Sequence, residues 1–350
     1  MKKILKKIKH KRQQKAQEGA LPSSVPNITD KTVEQHREEV LSSARKYIYP
    51  LQHSKHKIVL WTTTILLSLL VVFISYCTIA LYRYQTTSAF MYRVTQIVPF
   101  PIARQGGTLV AYENYLFEVR RYMHFYERQQ KLDFSSQSGK DQLADYKKRA
   151  LQKVIDDAYV KKLAEKNKIT VSNQEIEDEI TLLRNQGRLG NSDQVLETVL
   201  EEFYGWSRND LKRSLKDQII KRKLQAKLDT AATEKSNAAI NELKAGAKFE
   251  DVAKKYSDDP SKEKGGEYGF TINKANSDLP TQVLAALLQL KPGEYSAVVN
   301  TGYSLEIVKV IDKKDDSITA AHIVFNLKPL TSAIDDAKDK SPTRAYIKLK

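Results

Sequence analysis

The sequence predicts an α+β chain built around one apolar helix, and three observations predict it. Ile58 to Tyr82 carries no charge over 25 residues. From about residue 107 to 230, apolar residues recur at helical spacing through several long segments. Beyond residue 243, short amphipathic helices alternate with Gly- and Pro-marked turns and lead into the alternating strand Tyr303 to Asp312, so they must cap a sheet.

Charge is unevenly spread. The net charge is +16, and residues 1–57 hold fourteen Lys and Arg against five Asp and Glu. That segment opens MKKILKKIKHKRQQK and reads as a solvated, basic cytosolic tail, or as a membrane-surface anchor using Ile4, Leu5 and Ile8. It has no aromatic interleaving and no fold signature for nucleic acid, so no nucleic-acid partner is expected. Basicity here speaks to topology rather than to a ligand.

At about 1.5 Å per residue, residues 58–82 reach about 37 Å, enough to cross a bilayer with tilt. Lys55 and Lys57, with the basic tail, keep the N-terminus in the cytosol and set everything after Arg83 outside. The long basic lead and the lack of an Ala-x-Ala-like exit argue against a cleaved leader. The single cysteine, Cys77, lies inside the run, so no intramolecular disulfide forms; the residue is lipid-facing or packed.

Residues 83–106 read as a juxtamembrane linker, with VPFP at Val98 to Pro101 favouring extended backbone. A short strand to Val110 then enters a helix whose stripe includes Tyr115, Leu116, Val119, Tyr122 and Tyr126. Leu143 to Leu163 repeats the helical period. Ser172 to Glu175 is a capping box ahead of Ile176, Ile180 and Leu183. Ser207 to Asp210 resembles another, leading a long helix through Leu211, Leu215, Ile219 and Leu224. The expected organisation is a tail over 1–57, a transmembrane helix over 58–82, a linker over 83–106, an all-α domain over 107–230 and a sheet-bearing domain over 231–350.

In that last domain Phe249 to Tyr256 is a short helix, followed by a polar loop with Pro260 and a Gly265-Gly266 turn. A second helix from Leu279 stops at Lys291-Pro292-Gly293. The words SDDPSK, GGE-G-F, LKPGE and a final IVKV strand, in that order, resemble the parvulin-type (PpiC) peptidyl-prolyl cis/trans isomerase domain. Residues 107–230 resemble the N-terminal chaperone domain of SurA-like and PrsA-like foldases. That likeness rests on the Tyr-x-x-Tyr-Leu entry, KVIDDAYVKKLAEKNKITVSNQEIEDEI and GWSRNDLKRSLKDQIIKRKL.

The parvulin resemblance implies site residues. Leu279 and Val283 fall where the family places the Met and Phe that hold proline, and Val in place of Phe makes a shallower slot. Tyr268 and Phe270 would close it; the alternative is that all four are ordinary core residues. Asp259 takes the position of the family's Cys or Asp, Thr301 matches a Thr ahead of the last strand, and Glu306 stands where that strand usually carries His. The family's first strand, of the type A-R-H-I-L, should precede the helix ending at Leu243, but RKLQAKLD there holds no His.

A replacement follows the last strand instead, in Ala320 to Phe325 (AAHIVF). In parvulins the first and last strands are antiparallel neighbours, so a hairpin would put residues 318–327 in the first-strand slot by circular permutation. Alternation would set His322 and Val324 on one face, with His322 near Glu306 and Asp259. The alternatives are the start of a truncated second unit, or an edge strand paired with Arg344 to Leu349.

There is no Cys/His metal spacing and no phosphate loop, so neither metal nor cofactor is expected. The resemblances imply a single-pass plasma-membrane foldase. Its extracytoplasmic part would bind unfolded, newly exported chains and speed isomerisation at their X-Pro bonds. The rival reading is a holdase that keeps the isomerase fold without its activity.

Overall fold

A computed structural model describes residues 29–48, 51–190, 192–273 and 278–349, without the side chains of 46–48 and 51–55. Residues 1–28 and the Lys55 side chain, on which the reading of a basic cytosolic tail rests, lie outside the described residues. Contacts divide the chain into two units, Met1–Tyr76 and Cys77–Lys350.

The first unit holds α1 (Asp30–Ile48) and most of α2 (Leu51–Thr78). Helix continues through a π turn, Ile79–Arg83, and His56–Arg83 is long and apolar enough to cross a membrane. Between Ile58 and Tyr76 the large apolar side chains are exposed, Leu60 by 67% and Leu66 by 68%.

The sequence expectation of a span reaching Tyr82 needs trimming. Cys77, Ala80 and Leu81 are buried in the second unit's core, so Cys77 is packed rather than lipid-facing. The Tyr112 hydroxyl donates to the Leu81 carbonyl at 2.7 Å, and the Tyr82 ring meets Tyr112 edge-on at 5.6 Å. These aromatic partners lie thirty residues downstream, which is why a local hydropathy reading assigns residues 77–82 to the span.

The second unit begins with α3 (Ala89–Ile97), the hairpin β1 (Pro101–Gln105) and β2 (Thr108–Ala111), then α4 (Tyr112–Gln129), α5 (Gln137–Lys166) and α6 (Asn173–Asn185). It continues with α7 (Asp193–Val199), a π turn at Leu200–Tyr204, and α8 (Arg208–Leu228). The two capping boxes are in place: Ser172 and Ser207 each accept from the backbone N–H three residues on, and Glu175 and Asp210 return the bond. Residues 83–106 are not a plain linker. Met91, Phe100, Ile102 and Ala103 are buried in one core with Tyr112, Tyr115 and Leu116.

The chain then forms α9 (Thr230–Lys244), α10 (Phe249–Tyr256), a 3-10 turn (Pro260–Lys264), α11 (Thr281–Gln289), β3 (Val299–Asn300), β4 (Ser304–Lys314) and β5 (Ser317–Asn326). It closes with α12 (Leu330–Lys340) and β6 (Thr343–Ala345). β6 pairs antiparallel with β1, giving the order β2-β1-β6, and Ile347 joins the core of Ile102. The C-terminal strand expected in the 231–350 domain therefore completes the helical domain instead. A two-stranded hairpin alone is marginal, and β6 covers the free edge of β1.

The other sheet, β3-β4-β5, is antiparallel, with Ile307 opposite Ile323 and Val308 opposite His322. The proposed hairpin of residues 318–327 on the IVKV strand is thus present, and the alternative pairing of AAHIVF with residues 344–349 is not. Period-two alternation gives the sheet two faces. Leu305, Ile307, Ala321, Ile323 and Phe325 pack under α9 and α10 with Leu243, Phe249 and Val252. Val308, Val310, Ile318 and Ala320 pack under α11 with Val283, Leu284 and Leu287. Polar contacts tie this sheet domain to the helical one: Asn300 donates to the Arg222 carbonyl at 2.9 Å, and Gln186 to that of Thr281 at 2.8 Å.

Candidate active site

β4 and β5 present Glu306 and His322 on the face that packs α11. They are not a directly opposed pair, since Glu306 faces Val324 and His322 faces Val308, but the diagonal offset keeps both on one side. The His322 Nδ1 lies 3.4 Å from Glu306 Oε2, and its Nε2 lies 3.5 Å from Asp259 Oδ1. Each ring nitrogen therefore faces its own carboxylate. A neutral imidazole donates from one nitrogen only, whereas the imidazolium donates to both.

Asp259 reaches this position because its loop is fastened to β5. The Asp258 N–H donates to the Val324 carbonyl at 2.7 Å, the Val324 N–H donates to Ser257 Oγ at 3.0 Å, and the Asn326 N–H donates to Asp258 Oδ2 at 2.9 Å. Asp259 then N-caps the 3-10 turn, accepting from the Ser261 N–H at 2.8 Å. Burial disfavours its charged form. Hydrogen bonding from Ser261 and the neighbouring His322 outweigh burial and hold the carboxyl below its ordinary value.

The double glycine brings the next segment onto the same strand. The His322 N–H donates to the Gly266 carbonyl at 2.8 Å, the Tyr268 N–H to that of Ala320 at 3.1 Å, and Ile272 and Ile318 exchange both bonds. Residues 266–272 thus run as an irregular fourth strand along β5. This lays the Tyr268 ring 4.1 Å from the His322 ring, centre to centre. Burial, reinforced by the charges of Glu306 and Asp259, pushes the Tyr268 phenol far above its ordinary value. Its hydroxyl is buried and, among the described residues, meets no hydrogen-bond partner at bonding geometry.

Of the residues implied for the proline slot, Tyr268 packs on the cluster containing Leu279 and Val283, so three of the four meet. Val283 is wholly buried and Leu279 nearly so, which places both in the core under α11 rather than on an open surface. Phe270 is 47% exposed and touches the Tyr268 ring at 5.6 Å, at the open rim.

Thr301 does not touch His322 directly. Its Oγ1 lies 2.9 Å from Ser304 Oγ, and Ser304 Oγ donates to Glu306 Oε1 at 2.8 Å. Ser304 is the residue sequence reasoning passed over. It stands two positions before Glu306 on the same strand face, and that alternation was a signal available to find it. The outcome is a continuous polar line, Thr301, Ser304, Glu306, His322 and Asp259, beside the buried Leu279 and Val283 and the aromatic pair Tyr268 and Phe270.

Two family models match the chain. The SurA-like N-terminal domain matches residues 51–225, and the PPIC-type PPIASE domain matches residues 209–314. The chaperone SurA of Methylobacillus flagellatus is 27% identical over 217 residues, 52% of this chain and 48% of that protein. The chaperone SurA of Thiobacillus denitrificans is 32% identical over 103 residues, 27% of this chain and 23% of that protein. The chain spans about half the length, or less, of these curated relatives. The peptidylprolyl isomerase PrsA of Bacillus cereus, a solved structure, is 23% identical and overlaps 59% of this chain and 79% of its own, with a TM-score of 0.21. That overlap is too loose to transfer any residue. The PPIASE match stops at residue 314, one strand short of His322.

Proposed function

Because the chain belongs to the SurA-like N-terminal-domain family and carries a PPIC-type PPIase domain, we propose that it is a membrane-anchored foldase. In this reading its second unit works outside the cytoplasm, binding unfolded exported chains and isomerising their X-Pro bonds. Residues 58–76 form the anchor, about 28 Å of helix at about 1.5 Å per residue, close to the hydrocarbon thickness of a bilayer. Lys57 and the basic residues before it favour a cytoplasmic N-terminus.

The observation that carries the isomerase reading is the bracketing of His322 by Glu306 and Asp259 beside the Tyr268 ring. An X-Pro bond crosses slowly because rotation breaks amide conjugation, at about 18–20 kcal/mol. As the bond twists, the proline nitrogen gains a lone pair. A donor aimed there stabilises the twisted form more than either planar one. In the proposed mechanism the ring rests against Tyr268 and Phe270, above the buried Leu279 and Val283, and His322 supplies the donor. Glu306, oriented by Ser304 and Thr301, holds the imidazole through Nδ1, and Nε2, whose 3.5 Å contact with Asp259 is longer than a hydrogen bond, is the nitrogen that would turn its N–H to the proline. No covalent bond forms and no proton need be transferred.

The second reading, a holdase, is favoured by one observation: Phe270 stands exposed at the rim and Val283 lies below the surface, so the slot is shallow. Proline-peptide exchange with the intact chain separates the two. Acceleration above the spontaneous rate, lost in His322→Ala, supports the isomerase. Suppressed client aggregation without acceleration supports the holdase.

A further inference from the structure

Among the described residues the outer face of α3 has no partner. Ser88 caps this helix by accepting from the Met91 N–H at 3.3 Å, and Met91, Val94 and Thr95 are buried against the core. The opposite side carries Phe90, Arg93 and Ile97 at i, i+3 and i+7, one stripe of an α-helix. Phe90 is 54% and Ile97 84% exposed, and Tyr84, just before the helix, is 73% exposed. Exposure of this much apolar surface on a short segment calls for a partner.

The charge pattern indicates which partner. From Val40 to Tyr112 the sequence contains neither Asp nor Glu, while Arg83 and Arg93 fall beside the exposed apolar residues. Among the described residues neither arginine enters an ion pair. Elsewhere in the unit most core-facing helices carry acid–base pairs, such as Glu113 with Arg213 and Glu179 with Arg222. The carboxylates that act on α3, those of Glu113 and Asp210, do so at Tyr92, and an apolar stripe flanked in sequence by cations is complementary to an anionic, greasy surface. The stripe begins eleven residues after Ile79, the last strongly exposed apolar residue of the run.

We infer that Tyr84, Phe90 and Ile97 insert into the outer boundary of the bilayer, with Arg83 and Arg93 on anionic lipid headgroups. The second unit would then be held flat on the membrane through α3 and not merely tethered by one helix. This inference rests on the membrane-anchor reading above.

The test uses the full chain in vesicles of phosphatidylglycerol and phosphatidylethanolamine, with a nitroxide on a cysteine introduced by Ile97→Cys. Leu66→Cys and Ser135→Cys serve as references for the bilayer interior and for water; Cys77 stays in place because it is buried. Collision with oxygen against a water-soluble nickel complex reads depth. The expected result is an interfacial depth at position 97, shifting to aqueous in pure phosphatidylcholine vesicles and in the Arg83→Glu/Arg93→Glu variant. An aqueous reading at 97 with position 66 deep in the bilayer overturns the inference and leaves the anchor standing. An aqueous reading at 66 overturns the anchor, and this inference with it. Depth at 97 that ignores both lipid charge and the arginine variant contradicts the headgroup contact.

Discussion

A Cβ placed on Gly266 would stand 2.3 Å from the carbonyl oxygen of His322, and Gly266 has a φ of +84°. No side chain fits there without parting the 266–272 segment from β5. Gly266→Ala should destabilise the sheet domain by about 2–4 kcal/mol, combining a left-handed backbone with a clash against main chain. Gly265→Ala makes the control. Its Cβ would press on Glu250 Cγ at 2.9 Å and Cβ at 3.2 Å, side-chain atoms that can yield more than a strand carbonyl, so the cost should be smaller, about 1–3 kcal/mol, from backbone strain and this lesser crowding. Urea unfolding of the two variants checks the order; equal costs would show that the close approach to β5 is not what selects glycine at 266.

Ser304 should matter to catalysis through Glu306. Ser304→Ala removes one buried hydrogen bond to a carboxylate, worth about 1.5–3 kcal/mol. Isomerisation should slow roughly tenfold while peptide affinity holds, and Ser304→Thr should recover part of the rate. A loss of affinity in place of rate would assign Ser304 to the slot instead.

Acid should loosen the loop from β5. Burial opposes the charge on Asp258, yet hydrogen bonds from Lys235 and the Asn326 backbone outweigh it, and the folded-state value lies below the ordinary 3.8. Asp259 is lowered in the same direction. A depressed carboxylate stabilises the fold above its unfolded value and loses that contribution as pH falls through the folded one. Stability should therefore be full at neutral pH and fall as pH drops below 3.8. Asp258→Asn should be less stable at neutral pH and flatter across that window, as thermal melts along a pH series would read.

The C-terminal segment should stabilise the helical domain and not the sheet domain. Ile347 is 4% exposed in the core of Ile102, and the Tyr159 hydroxyl donates to the Ser341 carbonyl at 2.6 Å. Ile347→Ala should cost about 2–4 kcal/mol, and hydrogen exchange should rise in β1 and α4 while β4 and β5 keep their protection. Faster exchange in β4 and β5 instead would return residues 343–349 to the sheet domain.

These cases mark where the sequence was legible. α10, the turn at Gly265-Gly266 and both capping boxes are local patterns, readable from spacing. The β4–β5 hairpin and the place of His322 beside Glu306 came from the parvulin resemblance, in which the first and last strands are antiparallel neighbours, together with AAHIVF following IVKV by one short turn. The trimmed span, the fold of residues 83–106 and the β1–β6 pairing were not. Leu81 meets Tyr112, and Ala103 meets Ala345, across separations that no window of local sequence carries. Val283 shows the same limit at the site. Its motif position implied contact with substrate, whereas the packing of α11 on β4 buries it wholly in the core.

The central claim is that His322, held between Glu306 and Asp259, drives isomerisation. Its most direct test is cis/trans exchange in a short X-Pro peptide, followed by NMR with the intact chain and with His322→Ala. Exchange well above the spontaneous rate, dropping roughly 100-fold or more on loss of that one donor, is the predicted result. Equal exchange with and without the His322 side chain would contradict it.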